Sequence, residues 1–202
     1  MFYDRELIAH KLLRWEKVIK SFKLPEWNNI PDIGLYMEQV IMLLSQYLEL
    51  ISSFDDKKDG EESKVFTAAA INNYVRLKIM PAPVKKKYYR VHIAYLIMIF
   101  TLKQSVSINV LKHIIPTNLP DSDVEKIYTD YCATYHKVSL HYVENVRSSG
   151  ADILNNNADD NFIERFVINE ALTAGFSRIL TEKIVNLKGA DKDEVIDKEI
   201  PR

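Results

Sequence analysis

Three side chains able to read base edges, Asn72, Asn73 and Arg76, stand within five positions of one another, and a dense basic run follows at Lys85, Lys86, Lys87 and Arg90. Amide side chains pair with adenine edges and guanidinium groups with guanine, while lysines neutralise backbone phosphates. The chemistry on offer is therefore recognition of a polyanion. Its setting strengthens the reading: residues 64–120 hold 9 Lys or Arg and no Asp or Glu in 57 positions, although the 202-residue chain carries a net charge of only -1. The acids are in the flanks, which sum to -4 over 1–63 and -6 over 121–202. Such segregation creates a local field that steers a polyanion even when the net charge is near zero. Thr67, Lys78, Tyr88 and His92 complete the candidate set, Thr67 as an N-cap and Tyr88 as an aromatic inside the basic run. His92 stands at a helix start beside the lysines, where it either touches phosphate or packs.

Bond-making chemistry finds little support. His136, His141 and Glu144 share one helical stretch, but i and i+5 is not ligand spacing and no second helix offers a Glu-x-x-His pattern. Glu6 and His10 form an ordinary i, i+4 pair. The single cysteine, Cys132, excludes an intramolecular disulfide and lies on an apolar helix face, where a thiol behaves as a small hydrophobe. There is no Gly-rich phosphate loop and no nucleophile motif. No enzyme, metal or cofactor is expected.

The elements that must position these groups read as helices. In residues 4–22, Leu7, Ile8, Leu12, Trp15, Ile19 and Phe22 recur every three or four positions. After two proline breaks, Asp32 is expected to cap a second helix running to about residue 54, with Ile33, Tyr36, Met37, Val40, Leu44, Tyr47, Leu48 and Ile51 on its stripe. Residues 55–64 carry no apolar side chain and read as a solvated loop. Thr67 then caps a short helix from 68 to about 78, with Ile71, Tyr74 and Val75 inward and Asn72, Asn73 and Arg76 off that face; Pro81-Ala82-Pro83 stops it. The run 84–92 suits a tight turn or small hairpin. It leads into a helix over about 91–103 whose stretch 93–100 is apolar all round, and Ser107 caps a further short helix. Asp121 or Ser122 opens a long helix to about 148, closed by Gly150 and lined by Tyr128, Tyr131, Tyr135 and Tyr142. That stripe either packs on another helix or forms a dimer seam or ligand pocket. Asp159 or Asp160 opens a last long helix, and a charged tail from about 190 is expected to fray. The longest apolar run is 8 residues, short of the roughly 20 needed to span a bilayer, and charges interrupt the N-terminus, so a cytoplasmic protein without membrane contact is expected.

The run from Ala70 to Pro83, Ala-Ile-Asn-Asn-Tyr-Val-Arg-Leu-Lys-Ile-Met-Pro-Ala-Pro, resembles the recognition helix and exit of the MerR-type winged helix-turn-helix, and Tyr89-Arg90 and the stretch from Leu102 to Leu111 are similar to its wing end and a helix pair. Together with Pro-Ala-Pro-Val-Lys-Lys-Lys-Tyr and His-Ile-Ala-Tyr-Leu, these motifs resemble a bacterial family catalogued as domain of unknown function 1836, considered a MerR-like DNA-binding group, over roughly residues 24–148. The resemblance implies an all-α fold with a small β wing, embedded in a bundle with long N- and C-terminal helices. It implies N-terminal helices over 1–63, the second acting as scaffold, a winged helix-turn-helix core over 64–120, and dimerisation or ligand-binding helices over 121–202. Arg76 and Arg90 carry over best as phosphate or base contacts. Asn72 stands where MerR regulators usually have an arginine, Asn73 replaces an aromatic, and Lys78 replaces the glycine that follows their recognition helix, which is penalised if the backbone there takes a positive φ. The expected function is a transcriptional regulator that binds double-stranded DNA as a homodimer, with an unidentified small-molecule effector as a further partner. The alternative is a helical adaptor whose basic patch meets an acidic protein.

Overall fold

A computed structural model describes residues 3–52, 65–155 and 160–189. The expected loop at 55–64 and the frayed tail from about 190 lie outside the described residues. The helices are α1 (Arg5–Ser21), α2 (Met37–Tyr47), α3 (Glu49–Ser52), α4 (Ala68–Arg76), α5 (Arg90–Leu102), α6 (Ile108–Ile114), α7 (Asp121–Ser149), α8 (Ala151–Leu154) and α9 (Asp160–Asn186). Among the described residues no strand longer than an isolated bridge forms, so the expected β wing is reduced to a turn. No described helix is long and apolar enough to cross a membrane.

Several ends follow the local chemistry read from the sequence. The Asp4 carboxylate accepts the Leu7 N–H at 2.9 Å, the Thr67 hydroxyl accepts that of Ala70 at 3.1 Å, and the Ser107 hydroxyl that of Val110 at 3.4 Å. The second helix departs from expectation. Asp32 is not its cap: residues 32–36 precede it, and Tyr36 is the N-cap, its N–H held by the Gln39 side chain at 2.9 Å. The competing partner is distant in sequence. Leu35 and Tyr88 exchange both backbone hydrogen bonds at 2.8 Å, giving Leu35 an antiparallel bridge in place of a helical turn. Gly34 permits the approach, since a Cβ there would lie 2.8 Å from Lys87 Cδ. Ile33 and Tyr36 consequently face solvent, and the helix breaks again at Leu48 (φ -119°, ψ 34°) before α3.

At the centre lies α5, where every residue from Val91 to Phe100 is buried. Phe66 and Tyr74 meet Phe100 edge-on at ring separations of 4.8 and 5.5 Å, so α4 is held to α5 by a three-ring cluster. From α7, Tyr128 is fully buried and its hydroxyl donates to the Pro25 carbonyl at 2.8 Å. Burial pushes the Tyr128 and Cys132 pKa values up, and that of Tyr131 to about 12. Tyr128, Tyr131 and Tyr135 thus belong to the packed core, whereas Tyr142 stands apart and half exposed. The main core runs from Leu24 to Tyr128 and draws on all three segments into which the sequence divides. A second, small cluster joins Ile153 and Ile163 to Ile8, Leu12 and Phe166. That cluster leaves much of α1 and α9 uncovered: Leu7, Trp15, Leu172 and Phe176 are exposed.

Candidate nucleic-acid interface

The α4 helix carries its polar groups as the periodicity requires. Ile71 and Tyr74 are buried, Asn72 and Arg76 are exposed, and Asn73 is half-buried. An Arg76 guanidinium N–H donates to the Asn73 side-chain oxygen at 2.7 Å, so two of the three candidate readers are already oriented by each other. Thr67 contributes through its cap and not as a free contact. The helix ends in a Schellman motif: Lys78 N–H donates to Val75 O at 3.0 Å, and Ile79 N–H to Tyr74 O at 3.1 Å. The residue at the left-handed position is Lys78, with φ 57°. A side chain in this region costs about 1–2 kcal/mol relative to glycine, so the anticipated penalty at Lys78 is present.

The basic run forms a two-residue turn. Val84 and Lys87 exchange backbone hydrogen bonds at 3.0 and 2.9 Å, and Lys85 and Lys86 between them both have positive φ, 49° and 64°. This is the type I′ geometry for which Asn-Gly is preferred, yet both positions hold lysine. Four described non-glycine residues take positive φ; three are Lys78, Lys85 and Lys86, and the fourth is Asn118, a type that tolerates it. All three lysines are solvent-exposed. The strain is therefore stored where it holds charge outward, a position typical of functional sites.

Other candidates are engaged inside the fold. Tyr88 is 3% exposed, its ring edge-on to His92 at 5.8 Å, and it cannot present itself to a ligand. His92 is 6% exposed; its Nδ1 accepts the Tyr89 N–H at 3.0 Å, which leaves Nε2–H to donate to the Ala82 carbonyl at 3.0 Å. Of the two readings for His92, packing is the one realised, and it ties the proline-rich linker after α4 to the start of α5. Arg90 is turned inward: its Nε–H donates to Ile30 O at 2.9 Å, its guanidinium lies 5.6 Å from the Trp27 ring centre, and Asp32 is 3.9 Å away. The basic run and the resemblance made Arg90 a phosphate or base contact; here it anchors the residues before α2. Lys87 reaches back over the Tyr36 ring at 5.4 Å. Sequence reasoning missed Lys103, whose ammonium lies 5.7 Å from the Tyr74 ring centre and adds a cation next to α4; its place in the acid-free segment was the available signal.

The outward set is thus Asn72, Arg76, Lys78, Lys85 and Lys86, with Asn73 steering Arg76. No hydrogen bond or ion pair among the described residues joins the α4 groups to the turn lysines; what relates them is the linker held by His92. A family model described as Domain of unknown function (DUF1836) matches residues 25–138. No curated protein and no solved structure matches the chain. The matched span encloses α4, the lysine turn and all of the main core but Leu24, while α1 and α9 fall outside it. With more than half of its length matched, and that half holding both the core and the basic surface, the chain belongs to the DUF1836 family.

Proposed function

We propose that this chain is a cytoplasmic regulator that binds double-stranded DNA as a homodimer, with α4 in the role of a MerR-like recognition helix and the Val84–Lys87 turn in that of a minimal wing. The observation that carries this reading is the placement of three exposed lysines at left-handed φ within an acid-free segment that also exposes Asn72 and Arg76. Lysine has no conformational reason to occupy these positions, but a phosphate backbone supplies one. Asn72 and Arg76 would meet base edges or nearby phosphates, and Lys78, Lys85 and Lys86 the backbone.

The homodimer is supported by α9. A 27-residue helix is about 40 Å long, yet Ile163 is its only fully buried described side chain. Ile168, Leu172, Phe176, Ile179 and Leu180 are exposed along one stripe, and Leu187 just past the helix end is exposed as well. At roughly half exposure each, they present on the order of 600–700 Å² of surface per chain, close to the ~800 Å² per partner of a standard interface. A dimer that presents two copies of α4 to the major groove is expected to use half-sites about 34 Å apart.

The test is fluorescence anisotropy with a labelled random duplex across a salt series. Four phosphate contacts per chain from Arg76, Lys78, Lys85 and Lys86 give a log-log slope of about -3.6 per protomer. Arg76→Ala should weaken binding to a selected site by about 1–3 kcal/mol if the guanidinium pairs with guanine. Complete absence of binding to duplex at low salt would remove this reading in favour of an adaptor for an acidic protein.

A further inference from the structure

Between α1, α7 and α9 lies an open-mouthed cavity of about 250 Å³. Its walls are largely apolar and include the rings of Trp15, Tyr142 and Phe166, one from each helix. Three charged groups also line it: Glu16, Arg147 and Glu170. They are not equivalent. Glu16 is already answered, by Lys20 at 2.6 Å and by Arg147 at 3.6 Å, and the Lys20 hydrogen bond is the main reason its pKa is lowered. Arg147 is in turn occupied by Glu16. The Tyr142 hydroxyl lies near Glu170, and its pKa is raised by burial and then by this carboxylate. No cation pairs with Glu170 among the described residues. Phe166 and Glu170 are one helical turn apart, on a face of α9 turned away from that of Ile168 and Leu172.

Trp15 is 52% exposed here, although tryptophan is among the largest apolar side chains and is ordinarily well covered. A cavity with three aromatic side chains and one carboxylate without a described counter-cation has the makings of a cation site, because aromatic rings and a carboxylate can attract the same charge. We propose that this cavity binds a small organic monocation with an apolar body, its ammonium group beside Glu170 and its body against Trp15, Tyr142 and Phe166. An anion is disfavoured, since Arg147 is already paired and Glu170 would repel it. A neutral molecule of the same shape would cover Glu170 without balancing its charge. The volume is below the ~300–1,000 Å³ usual for drug-sized ligands, which limits the occupant to about one ring and a charged head. The proposal does not depend on DNA binding. Should both hold, α7 supplies the physical link, since it lines the cavity with Tyr142 and enters the main core with Tyr128.

The experiment uses the full chain without DNA and three probes of one size: benzyltrimethylammonium, its neutral carbon isostere neopentylbenzene, and phenylacetate. Binding is followed by calorimetry and by tryptophan fluorescence. The cation should bind saturably at one site per chain, at least tenfold tighter than the neutral isostere, with phenylacetate showing no binding. Glu170→Gln removes the charge at nearly constant volume and should remove the preference for the cation, bringing it level with the isostere. Trp15→Leu, at an exposed position that the fold does not need, should weaken the cation by at least fivefold. Absence of saturable cation binding, equal affinity for cation and isostere in the wild type, tighter binding of phenylacetate, or an unchanged preference in Glu170→Gln would each overturn the assignment.

Discussion

Replacing Lys85 and Lys86 by Asn and Gly tests the turn and its purpose at once. Both lysines hold positive φ, 49° and 64°, in a turn closed by the paired hydrogen bonds of Val84 and Lys87. Each left-handed side chain costs about 1–2 kcal/mol, and Asn-Gly is the pair best suited to this geometry. Against that relief stands the added freedom of glycine in the unfolded chain, about 0.5–1 kcal/mol. Because Asn keeps part of the left-handed cost, the net gain is about 1–2 kcal/mol, which for a chain of this size raises Tm by roughly 2–8 °C. The same change removes two charges per protomer, so the salt dependence of duplex binding should flatten by about 1.8 log units per log unit of salt. Differential scanning calorimetry and a salt series of anisotropy titrations read the two effects separately. A protein that is more stable and binds DNA less well would show that strain is retained for charge. An unchanged or lower Tm would refute the strain argument, and an unchanged slope would take both lysines off the phosphates.

Arg90→Ala should lower stability by about 1.5–3 kcal/mol in urea unfolding, because it removes a charged hydrogen bond to Ile30, and should leave the salt slope alone; a reduced slope with full stability would return Arg90 to the interface. The Tyr74 hydroxyl is buried without a hydrogen-bond partner, so Tyr74→Phe should stabilise by about 1 kcal/mol, and a loss of stability would show that this oxygen is satisfied after all. Phe176→Glu with Leu180→Glu should give monomers by sedimentation while preserving the helical signal of the core, and a dimer that survives both charges would place the seam away from this stripe. Alkaline unfolding should be pronounced. The Tyr131 pKa is raised to about 12, and those of Tyr95, Tyr128 and Tyr135 are raised too. The unfolded chain therefore releases these protons first, and stability that is complete below about pH 10 falls as pH rises toward 12. A flat stability profile across that window would contradict the burial of these rings.

The sequence by itself determined whatever depends on local chemistry. Caps at Asp4, Thr67 and Ser107, the burial of 93–100 on all sides, the outward position of Asn72 and Arg76, and the difficulty at Lys78 all follow from side-chain hydrogen bonding, helical period or backbone sterics within a few residues. Tertiary structure decided what depends on partners far along the chain. The expected helix start at Asp32 gave way because Leu35 pairs with Tyr88, 53 positions later, and a long-range bridge leaves no periodic trace. Arg90 counted as a phosphate contact by its place in a basic run; only the fold shows that Ile30, 60 residues earlier, and the Trp27 ring have claimed it. His92 likewise resolved to a clamp on Ala82 once its two ring nitrogens had neighbours. On α9 the sequence supplied an apolar stripe without saying whether the chain covers it. The structure leaves that stripe bare because α9 meets the rest of the protein near its two ends, through Ile163 and its neighbours at one and through Val185 and α6 at the other, and neither contact covers Ile168, Leu172 or Phe176. Periodicity reports that a face wants burial; which surface provides it is settled only when the whole chain has packed.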